Sequence, residues 1–382
     1  MSDAGFLQWS LEVSTHFPKL SKPQAVGLAL WSYAIAVTRS SGLTTVASFL
    51  ALLRNQSPGT LRQRLREWLY DAPDKSGRQR QEVTVSYCFA PLLRWVVSQW
   101  PETEKRMALA LDATTLGQRF TVLAVCVVYC GQAQPVAWTI VPATQAGSWQ
   151  PHWLRMLALL EPVIPKDWQV LVLADRGLYA KWLFEAIQAC GWHPFLRINR
   201  RGQFRPVAAH HFRPLKSAVR RGGLVRRWEA ICFKTPAAQL RCTLLAQWNA
   251  RHDQPWLIVT DLEPQQAHAC WYSMRSWIEA CFKYTKRGGW HWEQTKMTDP
   301  ARAERLWLAM AVATLLVVSL GSEPAAADTP SGFSGLPRQP GLSCFRHGWV
   351  TLLALLLTAH PLHLGSLHPS PWPKPAACNL PP

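Results

Sequence analysis

Tyr272, Arg275, Glu279 and Lys286 stand at the spacing Tyr-x2-Arg-x3-Glu-x6-Lys in a chain of 382 residues. Read as one helix at about 100° per residue, the segment gathers these four side chains into a sector of roughly 60°. Met274, Ile278 and Cys281 fall on the other side. Two further carboxylates stand where a buried strand would give way to solvent. Asp112 follows the apolar run Met107 to Leu111 and precedes Ala-Thr-Thr, and Asp175 follows Val170 to Ala174 and precedes Arg-Gly. A carboxylate at the polar exit of a strand can reach a cation, and several converging there make metal-assisted chemistry available. Taken singly, each aspartate reads equally as a loop residue or a helix N-cap. The helical face alone reads equally as a solvated surface built on an i, i+4 ion pair between Arg275 and Glu279.

The remaining polar candidates are less organised. Glu293, in Gly-Gly-Trp-His-Trp-Glu, is a second choice for the helical carboxylate, but it follows a double glycine that should end the helix. His291 has no spaced partners. Arg176, Arg200, Arg201, Arg205, Arg220, Arg221, Arg226 and Arg227 supply cations for a polyanion-tracking surface.

The elements needed to position these groups are legible in the texture of the chain. Residues 1–101 are helical in period and basic. Within them Thr44 to Leu53 and Thr60 to Leu69 flank a turn sequence, giving a helix-turn-helix whose second helix carries Arg62, Arg64 and Arg66 as a face for DNA. A solvated basic face fits that hairpin equally well. From Pro101 the pattern becomes strand-like: Met107 to Leu111, Phe120 to Tyr129 and Gln134 to Val141 form a meander. A helix from Trp149 to Leu160 follows, then a strand Gln169 to Ala174, a helix Lys181 to Cys190 and a strand His193 to Ile198. That order is expected of an α/β, ribonuclease H-like core over residues 102–320. Residues 200–262 read as a basic β-rich insertion with strands at Trp228 to Phe233, Arg241 to Gln247 and Trp256 to Thr260. Helices Ala269 to Lys286 and Ala301 to Leu320 close the core. Residues 321–382 are rich in Pro and His around one apolar island, Val350 to Leu357, and read as a partly disordered tail.

Composition narrows the partner. Hydrophobic residues make up 48% of the chain, enough for a full core, and 41 Lys and Arg against 23 Asp and Glu leave a formal charge of +18. That balance favours a polyanion, nucleic acid first, with an anionic membrane surface as the rival. The ten cysteines contain no CxxC pair, against a zinc ribbon or a secreted disulfide framework. The first residues have neither a basic start nor an apolar stretch, so a cytoplasmic, nucleoid-associated protein is expected. The apolar runs Leu306 to Leu320 and Val350 to Ala359 fall short of the roughly twenty residues of a spanning helix, which favours burial and no membrane.

Together these residues resemble the bacterial insertion-sequence transposases with a YREK signature, a branch of the DDE transposases, over roughly Leu109 to Leu320. All four signature residues match at the family's spacing, and Asp112-Ala-Thr-Thr and Asp175-Arg-Gly match the family's aspartate contexts. The resemblance implies that Asp112, Asp175 and Glu279 bind two Mg²⁺ ions, for which Mn²⁺ can substitute. Carboxylate-held ions activate a water or 3′-hydroxyl and stabilise the leaving oxygen during in-line attack on a phosphodiester. Asp112 would bridge both ions, and the other two carboxylates would each complete one shell. It further implies that Tyr272, Arg275 and Lys286 hold phosphates near the cut end, and that a Trp such as Trp248 or Trp256 stacks on an extruded base. The partners implied are double-stranded DNA at terminal inverted repeats, target DNA, and a second copy of the chain in the synaptic complex. The alternative is a catalytically silent DNA-binding relic of such an element, suggested by the unusual tail.

Overall fold

The computed structural model describes residues 4–77, 80–250, 253–322, 341–362, 364, 367–369 and 371–374. Five helices come first: α1 (Ala4–His16), α2 (Lys22–Thr38), α3 (Leu43–Arg54), α4 (Pro58–Trp68) and α5 (Phe89–Ser98). The meander follows as β1 (Arg106–Leu116), β2 (Phe120–Tyr129) and β3 (Gln132–Pro142). Next come α6 (Gln150–Leu160), β4 (Gln169–Ala174), α7 (Lys181–Ala189) and β5 (His193–Arg197). Strands β6 (Gln203–Pro206), β7 (Arg213–Pro214), β8 (Arg226–Cys232), β9 (Leu240–Gln247) and β10 (Trp256–Thr260) precede α8 (Trp277–Lys283), α9 (Pro300–Ser322) and α10 (Cys344–Leu357).

The ten strands of the described residues form one sheet in the order β3-β2-β1-β4-β5-β10-β9-β8-β6-β7. The first five are the ribonuclease H-like core that the sequence leads one to expect. Every residue of β2 is buried, which explains its unbroken apolar run: a strand covered on both faces has no side to alternate toward water. The insertion is not a separate body. β10 pairs antiparallel with β5 through Ile258↔Arg197 and Val259↔Leu196, so the core sheet simply continues into it. Two of its strands, β6 and β7, are absent from the sequence reading because four and two residues carry no detectable period.

The N-terminal helices share one hydrophobic core with the sheet rather than standing apart from it. α2 is buried almost all round, from Ala25 to Ala36, and packs on α9. The buried Arg305 of α9 ties the two parts together: it donates to the carbonyls of Leu69 (2.7 Å) and Val83 (3.1 Å) and to Asp71 (2.6 Å). α9 is the one described helix long and apolar enough to cross a bilayer, but α2, β3 and α10 cover it, as a buried helix requires. The apolar island of the tail extends back to Cys344 and forms α10, packed on α9, while Leu362, Leu367 and Trp372 are buried beyond it. An apolar face of this size cannot stay in water, so this part of the tail folds where composition alone suggests irregularity. Residues 323–340 lie outside the described residues.

At the base of α9, Glu304 accepts a hydrogen bond from the Ile140 amide at 2.8 Å. Burial pushes its carboxyl above the ordinary carboxylate range, despite Ile140 and nearby Arg155 and Arg305 pulling the other way. An acid raised in the folded state has its full stability below its unfolded pKa and loses it as pH rises through the folded value. Glu304→Gln keeps the acceptor without the charge, so its melting temperature should exceed wild type at neutral pH. The gain should vanish near about pH 4, where both side chains are neutral; thermal melts across that range check it.

Candidate active site

Strand register brings the two aspartates together. β1 and β4 run parallel from Arg106↔Gln169 to Leu111↔Ala174, so Asp112 and Asp175 are the next residues on neighbouring strands. Asp112 does not end its strand as the sequence suggests. β1 continues to Leu116 because β2 goes on pairing with it, through Asp112↔Ala124 to Leu116↔Phe120. What ends at Asp112 is the parallel ladder, and the gap so opened at the edge of β4 admits the third group.

That group arrives on a segment of changing helical pitch. The expected single helix is a 3₁₀ turn over Ala269–Ser276, then α8, then a π turn over Tyr284–Gly288. In the tight first part, residues three apart eclipse one another, so Tyr272 and Arg275 point the same way. The wide last turn closes where Trp290 donates to the Tyr284 carbonyl at 2.7 Å, carrying Lys286 back over β1.

Arg275 is the hub. Its Nη2 lies 2.7 Å from Asp112 Oδ2 and 3.8 Å from Asp175 Oδ2, and its Nη1 lies 2.7 Å from Glu279 Oε1. The Arg275 side chain is 15% exposed and that of Asp112 17%, whereas Glu279 is 63% exposed and free to move on its solvent side. Burial raises the Asp112 carboxyl; Arg275 and the Ala113 amide counter this, and the charges of Asp175 and Glu279 add to it. A half-buried acidic pair therefore depends on one cation. Arg275 Nε is buried without a hydrogen-bond partner, so its guanidinium is held here by charge and not by a complete set of donors and acceptors.

The other signature residues divide. Lys286 Nζ donates to Thr114 Oγ1 at 2.7 Å, and burial lowers its ammonium from the usual lysine range. Thr114 lies two residues beyond Asp112 on the same face of β1, a partner that strand period could have revealed. Tyr272 lies in the interior beside the strand that carries Asp175. It is 4% exposed, and its hydroxyl donates to the carbonyl of Ala174, immediately before Asp175, at 3.4 Å. Burial raises its phenol above the ordinary range, so it stays a neutral donor. Trp256 packs edge-on against Tyr272 at 5.3 Å between ring centres, and Arg200 covers Trp248 at 4.9 Å.

Glu293 is not in the cluster: its side chain faces His291 Nδ1 at 3.5 Å, and Arg119 takes its main-chain carbonyl. Arg62 and Arg66 are exposed on α4, which packs on α3 and α2 and not beside the carboxylates; Arg66 donates to Gln63.

Three carboxylates are a hard-oxygen donor set of the kind Mg²⁺ or Mn²⁺ takes, and they already converge on one positive group. Among the described residues no three His, Cys, Asp or Glu side chains stand close enough to share an ion as they are; Arg275 stands among Asp112, Asp175 and Glu279 instead. The donor types fit a divalent metal, which Asp112, Asp175 and Glu279 would hold in place of Arg275.

No curated protein matches the chain in sequence. The profile of the transposase DDE domain matches residues 104–316, from the start of β1 to the middle of α9, so it includes all three carboxylates and Arg275. With more than half of its length so matched and the aspartates side by side on a ribonuclease H-like sheet, the chain belongs to the DDE transposase family.

Proposed function

We infer that this protein excises and inserts a mobile DNA element by Mg²⁺-dependent hydrolysis and strand transfer, with Mn²⁺ as a substitute. The observation that carries this reading is the convergence of Asp112, Asp175 and Glu279 on the single guanidinium of Arg275. Asp112, the most enclosed of the three, would hold the ions together with Asp175 and Glu279. Bound there, the ions would supply activation of the attacking oxygen and charge stabilisation on the leaving one.

The chain's own groups have distinct tasks. Arg275 holds the carboxylates together without metal, then turns to a DNA phosphate, for which its fork is suited. Lys286 exchanges Thr114 for a phosphate oxygen as a mobile point charge. Tyr272 fixes the backbone that carries Asp175, a positioning task in place of the phosphate contact expected from its type. Arg62 and Arg66 on the exposed side of α4 serve duplex binding away from the cut. Joining two element ends calls for two copies of the chain in one complex. The silent-relic alternative drew on an irregular tail, and the packing of α10 on α9 speaks against that motive.

The test is incubation of the protein with duplex carrying the DNA that flanks its gene on both sides, with Mg²⁺ or with EDTA, followed by sequencing of the products. Breaks leaving 3′-hydroxyls at the element's ends, and joined products, are expected with metal alone. Binding without cutting in either Mg²⁺ or Mn²⁺ would leave the silent-relic reading in its place.

A further inference from the structure

Running from the connection after β7 into the first residues of β8 the chain reads Arg220-Arg221-Gly-Gly-Leu224-Val225-Arg226-Arg227, two arginine pairs bracketing an apolar dipeptide at a glycine turn. All eight residues are exposed, with Leu224 at 74% and Val225 at 43%. A single exposed leucine means little; this one sits at the tip of a fixed loop. Gly223 donates to the Arg220 carbonyl at 2.9 Å, and Gly222 donates to the Trp248 carbonyl at 2.8 Å across the end of β9. Arg221 Nε reaches the Ala250 carbonyl at 3.2 Å and Arg227 Nη1 the Pro264 carbonyl at 2.8 Å. Gly222 takes a φ of +70°, a conformation that a side chain would strain. Buried Ala218 and Val219 anchor one side, and the pairing of Arg226 with Ala246 anchors the other.

The charge around the tip is uncompensated. Among the described residues none of the four arginines has a carboxylate partner, whereas Glu229, further down β8, is taken by Arg241 at 2.6 Å. Strand direction also places the loop at a particular edge. Following the pairing from β1 through β4, β5, β10 and β9 to β8, the ends of β1, β4, β5 and β9 share one edge of the sheet with the starts of β10 and β8. The parallel ladder between β1 and β4 ends toward that same edge, immediately before Asp112 and Asp175.

We propose that this loop is a DNA wedge: Leu224, backed by Val225, enters a base step from the minor groove while Arg220, Arg221, Arg226 and Arg227 hold the phosphates on either side. An apolar side chain inserted between bases unstacks and kinks the duplex, and flanking cations are needed to hold it there. The segment from Val219 to Arg226 is anchored at both ends, so Leu224 can be pressed into the stack without folding away. The proposal rests on the reading that the protein acts on DNA, and it adds the means by which duplex near the carboxylates is opened.

The test uses full-length protein on closed circular plasmid of arbitrary sequence, in Ca²⁺. A topoisomerase relaxes the bound plasmid, and the linking-number change is read together with binding by gel shift. Wild type should untwist the plasmid. Leu224→Ala should bind within about twofold of wild type but untwist at least about threefold less, and Leu224→Met should retain the effect. Arg220→Ala with Arg221→Ala should instead weaken binding and flatten its salt dependence. Equal untwisting by wild type and Leu224→Ala, or binding by wild type with no untwisting, overturns the wedge while leaving the DNA-cutting reading to its own assay. Flotation with vesicles containing anionic lipid is run in parallel. Vesicle binding lost in Leu224→Ala, with plasmid topology unaffected, would assign the loop to a membrane surface and overturn the proposal.

Discussion

Asp112→Asn is expected to abolish DNA cutting, lowering the rate by about three orders of magnitude or more, which corresponds to roughly 4 kcal/mol of lost transition-state stabilisation. The reason lies in its position. Asp112 is the most enclosed of the three carboxylates, 17% exposed, and it stands where the parallel ladder between β1 and β4 ends, so it would hold metal where water has least access. An amide keeps the shape and the acceptor for the Ala113 amide, 2.8 Å away, but removes the charge that a cation needs. Fold should survive: burial already disfavours the Asp112 charge, and replacing it relieves that cost while leaving Arg275 paired with Glu279. Single-turnover cleavage in Mg²⁺ beside a thermal melt separates the two effects. A rate within tenfold of wild type would remove Asp112 from the chemistry.

The second large effect concerns folding. Gly348→Val should cost more than about 4 kcal/mol and yield little soluble protein. α9 and α10 meet through glycines: a Cβ built on Gly348 would stand 1.7 Å from the Val317 carbonyl oxygen, and one on Gly321 would stand 2.0 Å from that of Cys344. Both obstacles are helix backbone, which cannot rotate aside, so the helices would have to part. Parting them would expose Leu352, Phe345 and the face of α9 that they cover, all buried. Denaturant titration of Gly348→Ala and Gly348→Val gives the measure, with the alanine variant intermediate. Unchanged stability in the valine variant would mean that α10 does not dock this way.

How much of this was legible beforehand depends on the length over which a pattern acts. β2 and β4 are plain because a strand covered on both faces is apolar throughout. Asp175 is plain because a charge after such a run falls at the strand's end, whereas Asp112 lies within β1, where only the parallel ladder to β4 stops. The signature segment is legible as helical with its polar residues on one side, yet its three pitches are not, since 3₁₀ and π turns arise from what the segment packs on and from the closing bond of Trp290 to Tyr284. Tyr272 shows the same limit. Its hydroxyl type suits a phosphate, and only the packing of the 3₁₀ turn on β4 shows that it donates to the Ala174 carbonyl. The role of Arg275 as the shared partner of three acids belongs to tertiary structure altogether: spacing pairs it with Glu279 alone. The extension of the core sheet through β10 is equally non-local, because one antiparallel contact with β5 decides whether an insertion stands apart or continues the sheet.

Asp112, Asp175 and Glu279 are proposed to hold metal together in place of Arg275. Mn²⁺ titration followed by electron paramagnetic resonance, on wild type and on Asp112→Asn, Asp175→Asn and Glu279→Gln, reads this without reference to DNA cutting. Wild type should take up Mn²⁺, each amide variant should bind at least about tenfold more weakly, and Arg275→Gln should bind no more weakly than wild type. Equal Mn²⁺ uptake by wild type and all three carboxylate variants would contradict a metal centre shared by these residues.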